Sequence, residues 1–81
     1  MTKVTFYHSA ICPRCQAAKL ILSRLLKDFP DVELERVEYL AHFGEARRSG
    51  VRSIPTLVSG DRHLTGFVLG PQRIRRFLES L

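Results

Sequence analysis

The sequence contains no tryptophan, one methionine and only two cysteines among its 81 residues. Two cysteines cannot build the multiple disulfides that hold small secreted domains together, so that class is excluded. No apolar run approaches the roughly 20 residues that a membrane-spanning helix needs. Met1 to Val4 lead straight into a strand pattern, where a signal peptide would place a longer apolar segment. We therefore expect a cytoplasmic protein with no membrane partner.

Acidic residues are absent from residues 1–27, whose five basic residues account for the net charge of +5. The eight acidic and eight basic residues of 28–81 cancel. The basic segment either is a hydrated helix face, or stabilises a nearby thiolate and attracts acidic partners. The length predicts a single domain, residues 1–81, and we expect it to be a monomer.

Both cysteines belong to one motif, Cys12-Pro13-Arg14-Cys15, placed between a strand pattern and a helical pattern. This placement puts Cys12 at a helix N-terminus, where unpaired N–H groups and the helix dipole stabilise a thiolate. Cys15 falls about one turn inside the helix and is expected to be more shielded from solvent. The spacing thus predicts Cys12 as the attacking nucleophile and Cys15 as the resolving thiol. Arg14 either lowers the pKa of Cys12 or is simply solvated.

Apolar periodicity predicts the element order β-α-β-α-β-β-α, an α/β fold with a four-stranded mixed sheet, three helices on its two faces, and a central first strand. A strand, a helix of about 15 residues and a second strand form a parallel βαβ unit. The predicted elements are a strand over Lys3–His8, a helix from Pro13 to about Asp28, a strand with a register change over Val32–Leu40, a helix over Ala41–Ser49 capped by Gly50, a strand over Ser53–Val58, a hairpin turn over Ser59–Arg62, a strand over His63–Phe67, and a helix starting at Gly70-Pro71 with Ile74, Phe77, Leu78 and Leu81 on its inner face.

With a CxxC motif after the first strand and a proline entering the third, the chain resembles the thioredoxin fold and, in its small size, the glutaredoxin branch. Tyr7, the CxxC motif and the following Ala18-Lys19 are similar to the corresponding glutaredoxin segment. Arg52-Ser53-Ile54-Pro55 resembles the family's Arg-Thr-Val-Pro, whose proline is cis and faces the active-site sulfurs. The resemblance implies that Ile54 pairs with an extended substrate backbone.

The sequence departs from the glutaredoxin pattern at two glutathione-binding positions. Ser9 stands where glutaredoxins usually carry a lysine, three residues before the first cysteine. Thr65-Gly66-Phe67-Val68 replaces the Gly-Gly-acid segment that holds glutathione. Gly66-Phe67 resembles instead the glutaredoxin-like redoxins that thioredoxin reductase recycles. A thioredoxin proper is disfavoured, because no tryptophan precedes Cys12 and no acid lies in the first strand.

The resemblance implies a thiol-disulfide oxidoreductase that uses Cys12 and Cys15 to reduce protein disulfides or glutathione mixed disulfides. Its partners would be disulfide-containing proteins, with thioredoxin reductase or glutathione as electron donor. We expect no bound cofactor, glutathione being a candidate reductant. The expected substrate-binding residues are Tyr7, Pro13, Arg14, Arg52, Ser53, Ile54, Pro55, Gly66 and Phe67.

Metal binding is the main alternative, since CxxC supplies two thiolate ligands. A zinc site needs four ligands, and His8, His42 and His63 lack the H-x₃₋₅-H spacing, so no metal site is expected within one chain. A zinc ion or an iron-sulfur cluster shared between two chains stays open. Nucleic-acid binding is disfavoured, because the basic residues lie mainly on one helix without interleaved aromatic residues.

Overall fold

The protein, seen in a computed structural model, is described over residues 2–66 and 68–81. The predicted element order is confirmed. A short 3₁₀ turn, Leu26–Asp28, extends the first helix. The elements are β1 (Thr2–His8), α1 (Pro13–Leu25), β2 (Val32–Glu38), α2 (Phe43–Arg48), β3 (Thr56–Ser59), β4 (Arg62–Thr65) and α3 (Pro71–Glu79). No helix within the described ranges has the length and apolar content needed to cross a bilayer.

The four strands form one mixed sheet in the order β2-β1-β3-β4, so β1 is central, as predicted. It runs parallel to β2 and antiparallel to β3. Val4 and Phe6 on one face of β1 are fully buried, while Thr5 and Tyr7 on the other are half-buried. Because β1 and β2 are parallel, the segments after both strands emerge at the same edge of the sheet, and the CxxC motif begins there.

Helices cover both faces of the sheet, and each face has its own apolar cluster. The main cluster joins β1 and β3 to α1 and α3. A smaller cluster on the opposite face joins Tyr39, Ala46 and Val51, with Tyr7, Ile54 and Val58 packed against it. The buried residues of the main cluster are Val4, Phe6, Ala18, Leu22, Leu57, Leu69, Ile74, Phe77 and Leu78.

The predicted register change in the second strand is wrong. Thr2 to His8 pair one for one with Val32 to Glu38, without a bulge. The apolar pattern changes phase because the strand is covered on its two faces at different points. Val32 and Leu34 pack against the main cluster, whereas Val37 lies on the opposite face, beside Tyr7. A change of covered face therefore produced the same sequence signal as a bulge.

Several of the predicted element ends also need correction. The second strand ends at Glu38 and not at Leu40, and the third begins at Thr56 and not at Ser53. The helix predicted over Ala41–Ser49 covers only Phe43–Arg48. Leu81, placed on the inner face of the last helix, lies beyond its end at Glu79 and is exposed, because the helix stops before Leu81 can turn inward. The hairpin at Ser59–Arg62 is confirmed, and the returning strand is Arg62–Thr65; Phe67, assigned to it from the sequence, lies outside the described residues.

Gly50 ends α2 as predicted, and the structure shows why glycine is needed. Its φ of +88° lies in the left-handed region. The N–H of Gly50 donates to the carbonyl of Arg47 at 3.0 Å, and that of Val51 donates to the carbonyl of Ala46 at 2.9 Å. These two bonds form a Schellman motif, which satisfies the last carbonyls of the helix.

We expect Gly50→Ala to lower the free energy of unfolding by about 1–2 kcal/mol, because an L-residue is disfavoured in the left-handed region. Crowding contributes little, since an added Cβ would lie 3.5 Å from His63 Cε1, an ordinary contact. Urea unfolding followed by circular dichroism measures the change. Gly44→Ala, inside α2, is the matched control and is expected to be neutral or stabilising. Equal losses in both variants would contradict the assignment.

Candidate active site

Cys12 caps the N-terminus of α1 with its own sulfur. Its backbone is extended, with φ −106° and ψ 108°, and its Sγ accepts the N–H of Cys15 at 3.2 Å. Pro13 is the first helical residue, where its missing N–H leaves no bond unmade. No acidic residue occupies the first turn of α1. The sulfur thus lies where backbone donors and the helix dipole favour a negative charge.

Cys15 is held differently, one turn into the helix. It is 1% exposed, whereas Cys12 is half-buried, so the predicted difference in shielding is confirmed. Burial raises the pKa of Cys15 to about 12, and its hydrogen bond with Cys12 acts in the same direction. Both cysteines are free thiols here. At neutral pH Cys15 is therefore a protonated thiol next to an accessible sulfur.

Ser9 shapes the turn that leads into the motif, a role that the sequence interpretation missed. It is buried, its carbonyl accepts the N–H of Cys12 at 3.2 Å, and its hydroxyl oxygen accepts the N–H of Ile11 at 3.4 Å. A serine hydroxyl that accepts from the residue two positions on forms a local turn. The available signal was a serine just after the strand and before the helix-starting Cys-Pro. This position therefore holds a buried polar group in place of the lysine of the glutaredoxin pattern.

Glu38, at the end of β2, also contacts this region and was not identified from the sequence. Its carboxylate accepts the N–H of Ala41 at 3.0 Å. That bond, with further hydrogen bonds from the Ser9 hydroxyl and the Leu40 N–H, holds the pKa of Glu38 below its usual value of 4.5. Glu38 therefore connects the segment after β2 to the turn before Cys12.

The histidines do not converge on the sulfurs. His8 ends β1 with its ring stacked on Phe6 at 5.2 Å between centroids. Burial lowers the pKa of His8 below 6.5; Glu38 opposes this shift, and Lys19 and Arg36 reinforce it. Within residues 2–66 and 68–81, no three side chains of the metal-binding types gather into a site. The alternative of a metal shared between two chains stays a prediction.

A groove of about 430 Å³ lies beside the motif. One wall is the exposed face of α1, formed by Pro13, Arg14, Ala17 and Ile21, and the other is the segment 68–71, which leads into α3 and includes its first residue. Val68 in this segment is 64% exposed, and Ile11, next to Cys12 in the chain, is 81% exposed. The surface around Cys12 can therefore receive apolar side chains.

The remaining predicted binding residues do not gather in one place. Tyr7 and Ile54 pack against the cluster of Tyr39, Ala46 and Val51. The Ile54–Pro55 bond is cis, as expected, and Pro55 is buried.

Arg52 and Ser53 line a separate hollow of about 250 Å³, together with His63 and Thr65. This hollow shares no lining residue with the groove beside the CxxC motif. Gly66 lies against the guanidinium of Arg73. Phe67, the last predicted binding residue, lies outside the described part of the chain.

Comparison with known proteins agrees with this geometry. The family model "Glutaredoxin" matches residues 4–64. A thioredoxin of Methanocaldococcus jannaschii is 32% identical over 66 residues, covering 79% of this chain and 78% of the relative.

Solved structures show the same fold at lower identity. Desulfothioredoxin from Desulfovibrio vulgaris Hildenborough, in its reduced form, has a TM-score of 0.83 at 21% identity, covering 99% of this chain and 81% of that one. Mitochondrial thioredoxin 3 from Saccharomyces cerevisiae, in its oxidised form, has a TM-score of 0.80 at 23% identity, covering 99% and 78%. The fold is therefore the thioredoxin fold, with Cys12 and Cys15 close together at a helix N-terminus. The chain belongs to the glutaredoxin family and is a glutaredoxin-like thiol oxidoreductase of thioredoxin fold.

Proposed function

We propose that the protein is a dithiol reductase of protein disulfides, with Cys12 as the nucleophile and Cys15 as the resolving thiol. The supporting observation is the difference between the two sulfurs. Cys12 is accessible and accepts a backbone N–H at 3.2 Å, whereas Cys15 is buried with its pKa raised to about 12. Attack needs an accessible thiolate, and resolution needs a thiol held close by until the first bond has formed.

The reaction proceeds in two exchanges. The Cys12 thiolate attacks one substrate sulfur, the substrate S–S bond breaks, and the other sulfur leaves as a thiolate that takes up a proton. Cys15 then attacks Cys12 Sγ in the mixed disulfide, and its proton passes to the second substrate sulfur as that sulfur leaves. Two electrons pass from the dithiol to the substrate, and a Cys12–Cys15 disulfide remains. A reductant must reopen that disulfide for the next cycle.

The surface around Cys12 supports a polypeptide as the substrate. The groove beside Pro13 offers apolar walls to a side chain flanking the substrate cysteine. Ile54 forms no backbone hydrogen bond with another described residue, so its N–H and C=O suit pairing with an extended chain. Ser9 is buried and uncharged, which removes one contact expected for a glutathione carboxylate. We therefore propose thioredoxin reductase as the electron donor, with glutathione as the alternative.

A coupled assay distinguishes these donors. NADPH oxidation is followed during reduction of insulin, and separately of a glutathione mixed disulfide, first with thioredoxin reductase and then with glutathione plus glutathione reductase. Activity on insulin with thioredoxin reductase alone is the expected result. Activity that requires glutathione would reassign the donor and substrate. No activity in any of the four combinations would overturn the proposal and favour the alternative of a metal shared between two chains through the CxxC motif.

Alkylation tests the assigned difference between the sulfurs. In the reduced native protein at pH 8, iodoacetamide is expected to label Cys12 and to spare Cys15. A pKa of about 12 leaves roughly one Cys15 in ten thousand as thiolate at that pH, and burial limits access further. Because the pKa is raised, labelling of Cys15 should increase about tenfold per pH unit below 12.

Mass spectrometry of tryptic peptides measures the labelling of each cysteine. In urea both cysteines should react at similar rates, which serves as the control. Equal labelling in the native protein would remove the observation that supports the proposed roles.

A further inference from the structure

A second concave surface lies between the edge strand β4 and helix α3. This hollow of about 310 Å³ is lined by Arg62, Leu64, Arg73, Arg76, Phe77 and Ser80, and we refer to it as the arginine hollow. It shares no lining residue with the groove beside the CxxC motif. The proposed reaction does not use it, so its composition needs a separate explanation.

Positive charge is concentrated at the arginine hollow. Residues 62–81 contain four arginines and a single acidic residue, Glu79. Arg75 pairs with Asp28 at 3.0 Å. Arg62, Arg73 and Arg76 form no ion pair with any carboxylate of the described residues, and all three are exposed. Three neighbouring cations without an acid repel one another, and an anionic partner would relieve that repulsion.

Two of these guanidinium groups are held in place by the backbone. Arg62 Nη1 donates to the carbonyl of Ser80 at 3.0 Å, and Arg73 Nη2 donates to the carbonyl of Thr65 at 3.1 Å. Arg73 lies over Gly66, where an added Cβ would come within 2.5 Å of its Nη1. A guanidinium has five N–H donors, so each retains donors for a ligand after these bonds. Because these two side chains are already held in place, binding would cost little further side-chain entropy.

The shape of the arginine hollow limits the class of ligand. Arg62 donates to Ser80, just past the end of α3. Arg73 lies near the start of α3 and donates to Thr65. These two contacts are at opposite ends of the hollow, because the strand from Arg62 to Thr65 spans about 10 Å. One phosphate cannot reach both ends. Leu64 and Phe77 are the apolar residues of the lining, and both are less exposed than the arginines, so they form an apolar floor of the hollow. Arginine around an aromatic floor is typical of the energetic centre of protein interfaces.

We propose that the arginine hollow binds an acidic segment of a protein partner, with acidic side chains on the arginines and an apolar side chain on Leu64 and Phe77. The segment would lie along β4, the edge strand of the sheet. Charge complementarity of this kind speeds association and selects partners. The proposal concerns binding and does not depend on the chemistry of Cys12.

The probe is a fluorescein-labelled heptapeptide with three glutamates on each side of a central leucine, titrated by fluorescence anisotropy into the reduced full-length protein. The triple variant Arg62→Gln/Arg73→Gln/Arg76→Gln is expected to bind it about tenfold more weakly or worse. The matched control Arg36→Gln/Arg47→Gln/Arg48→Gln removes the same charge from exposed positions on β2 and α2, and should change Kd less than about twofold. A heptapeptide with glutamines in place of the glutamates should not bind.

Equal losses in the two triple variants would overturn the proposal, because binding would then follow net charge alone. Absence of peptide binding by the wild-type protein would also overturn it. Tighter, arginine-dependent binding of pyrophosphate or of a single-stranded oligonucleotide would assign the hollow to phosphate ligands instead. If the triple variant unfolds, Arg76→Gln alone should weaken binding about twofold or more. Since the readout is binding, failure here is distinct from failure of disulfide reduction.

Discussion

Replacing Cys12 by serine is expected to abolish disulfide reduction, lowering the rate by about 10³-fold or more, the scale seen when a covalent nucleophile is removed. Serine retains an oxygen that can cap α1, so the N–H of Cys15 keeps an acceptor and the helix should form normally. A hydroxyl at neutral pH supplies no thiolate, and Cys15 is too buried to replace the lost nucleophile. The initial rate of NADPH-coupled insulin reduction measures the loss.

The matched variant Cys15→Ser distinguishes the proposed roles of the two cysteines. With Cys12 intact the first exchange still occurs, but no thiol resolves the product, so a mixed disulfide with the substrate should accumulate. Non-reducing electrophoresis and intact mass spectrometry detect that adduct, and Cys12→Ser should give none. Rapid turnover of insulin by Cys15→Ser, or appreciable reduction by Cys12→Ser, would contradict the assigned roles.

Local patterns were sufficient to predict the part of the chain that holds the cysteine pair. Pro13 at the first helical position and the periodic apolar residues after it define where α1 begins, and this places Cys12 at its cap. Gly50 was likewise a reliable end signal, because few residues other than glycine adopt its backbone conformation at low cost. These features depend on near neighbours in the chain, so the sequence displays them directly.

The features that were missed depend on contacts across the fold. The phase change in β2 reflects which helices cover each face of the sheet. The sequence of the strand alone does not contain that information. Ser9 and Glu38 come into contact because β1 and β2 end side by side. The two residues are far apart in sequence, so local patterns could not predict this contact. The arginine hollow arises in the same way, since Arg62 joins Arg73 and Arg76 only when β4 lies against α3.

The sulfurs and the core are joined through α1. The same helix that presents Cys12 at its N-terminus buries Cys15, Ala18 and Leu22 on one face, while Leu20 remains exposed. Because thiolate stabilisation needs the helix N-terminus in place, packing along the buried face supports the geometry of the site. A substitution that weakens packing on this face should therefore lower the free energy of unfolding, and it should also lower the reactivity of Cys12.

Leu22→Ala is expected to lower the free energy of unfolding by about 2–5 kcal/mol, because Leu22 is 1% exposed in the main cluster and its loss leaves a cavity beneath α1. A loss of that size is a large share of the roughly 5–15 kcal/mol typical of a domain, and should lower Tm by about 10 °C or more. Leu20→Ala makes the same chemical change two residues earlier, at a position 63% exposed, and should stay within about 0.5 kcal/mol. Urea and thermal unfolding of the reduced proteins measure both changes. If the two variants lost equal stability, the orientation of α1 on the sheet would be wrong, and the burial that distinguishes Cys15 from Cys12 would be wrong with it.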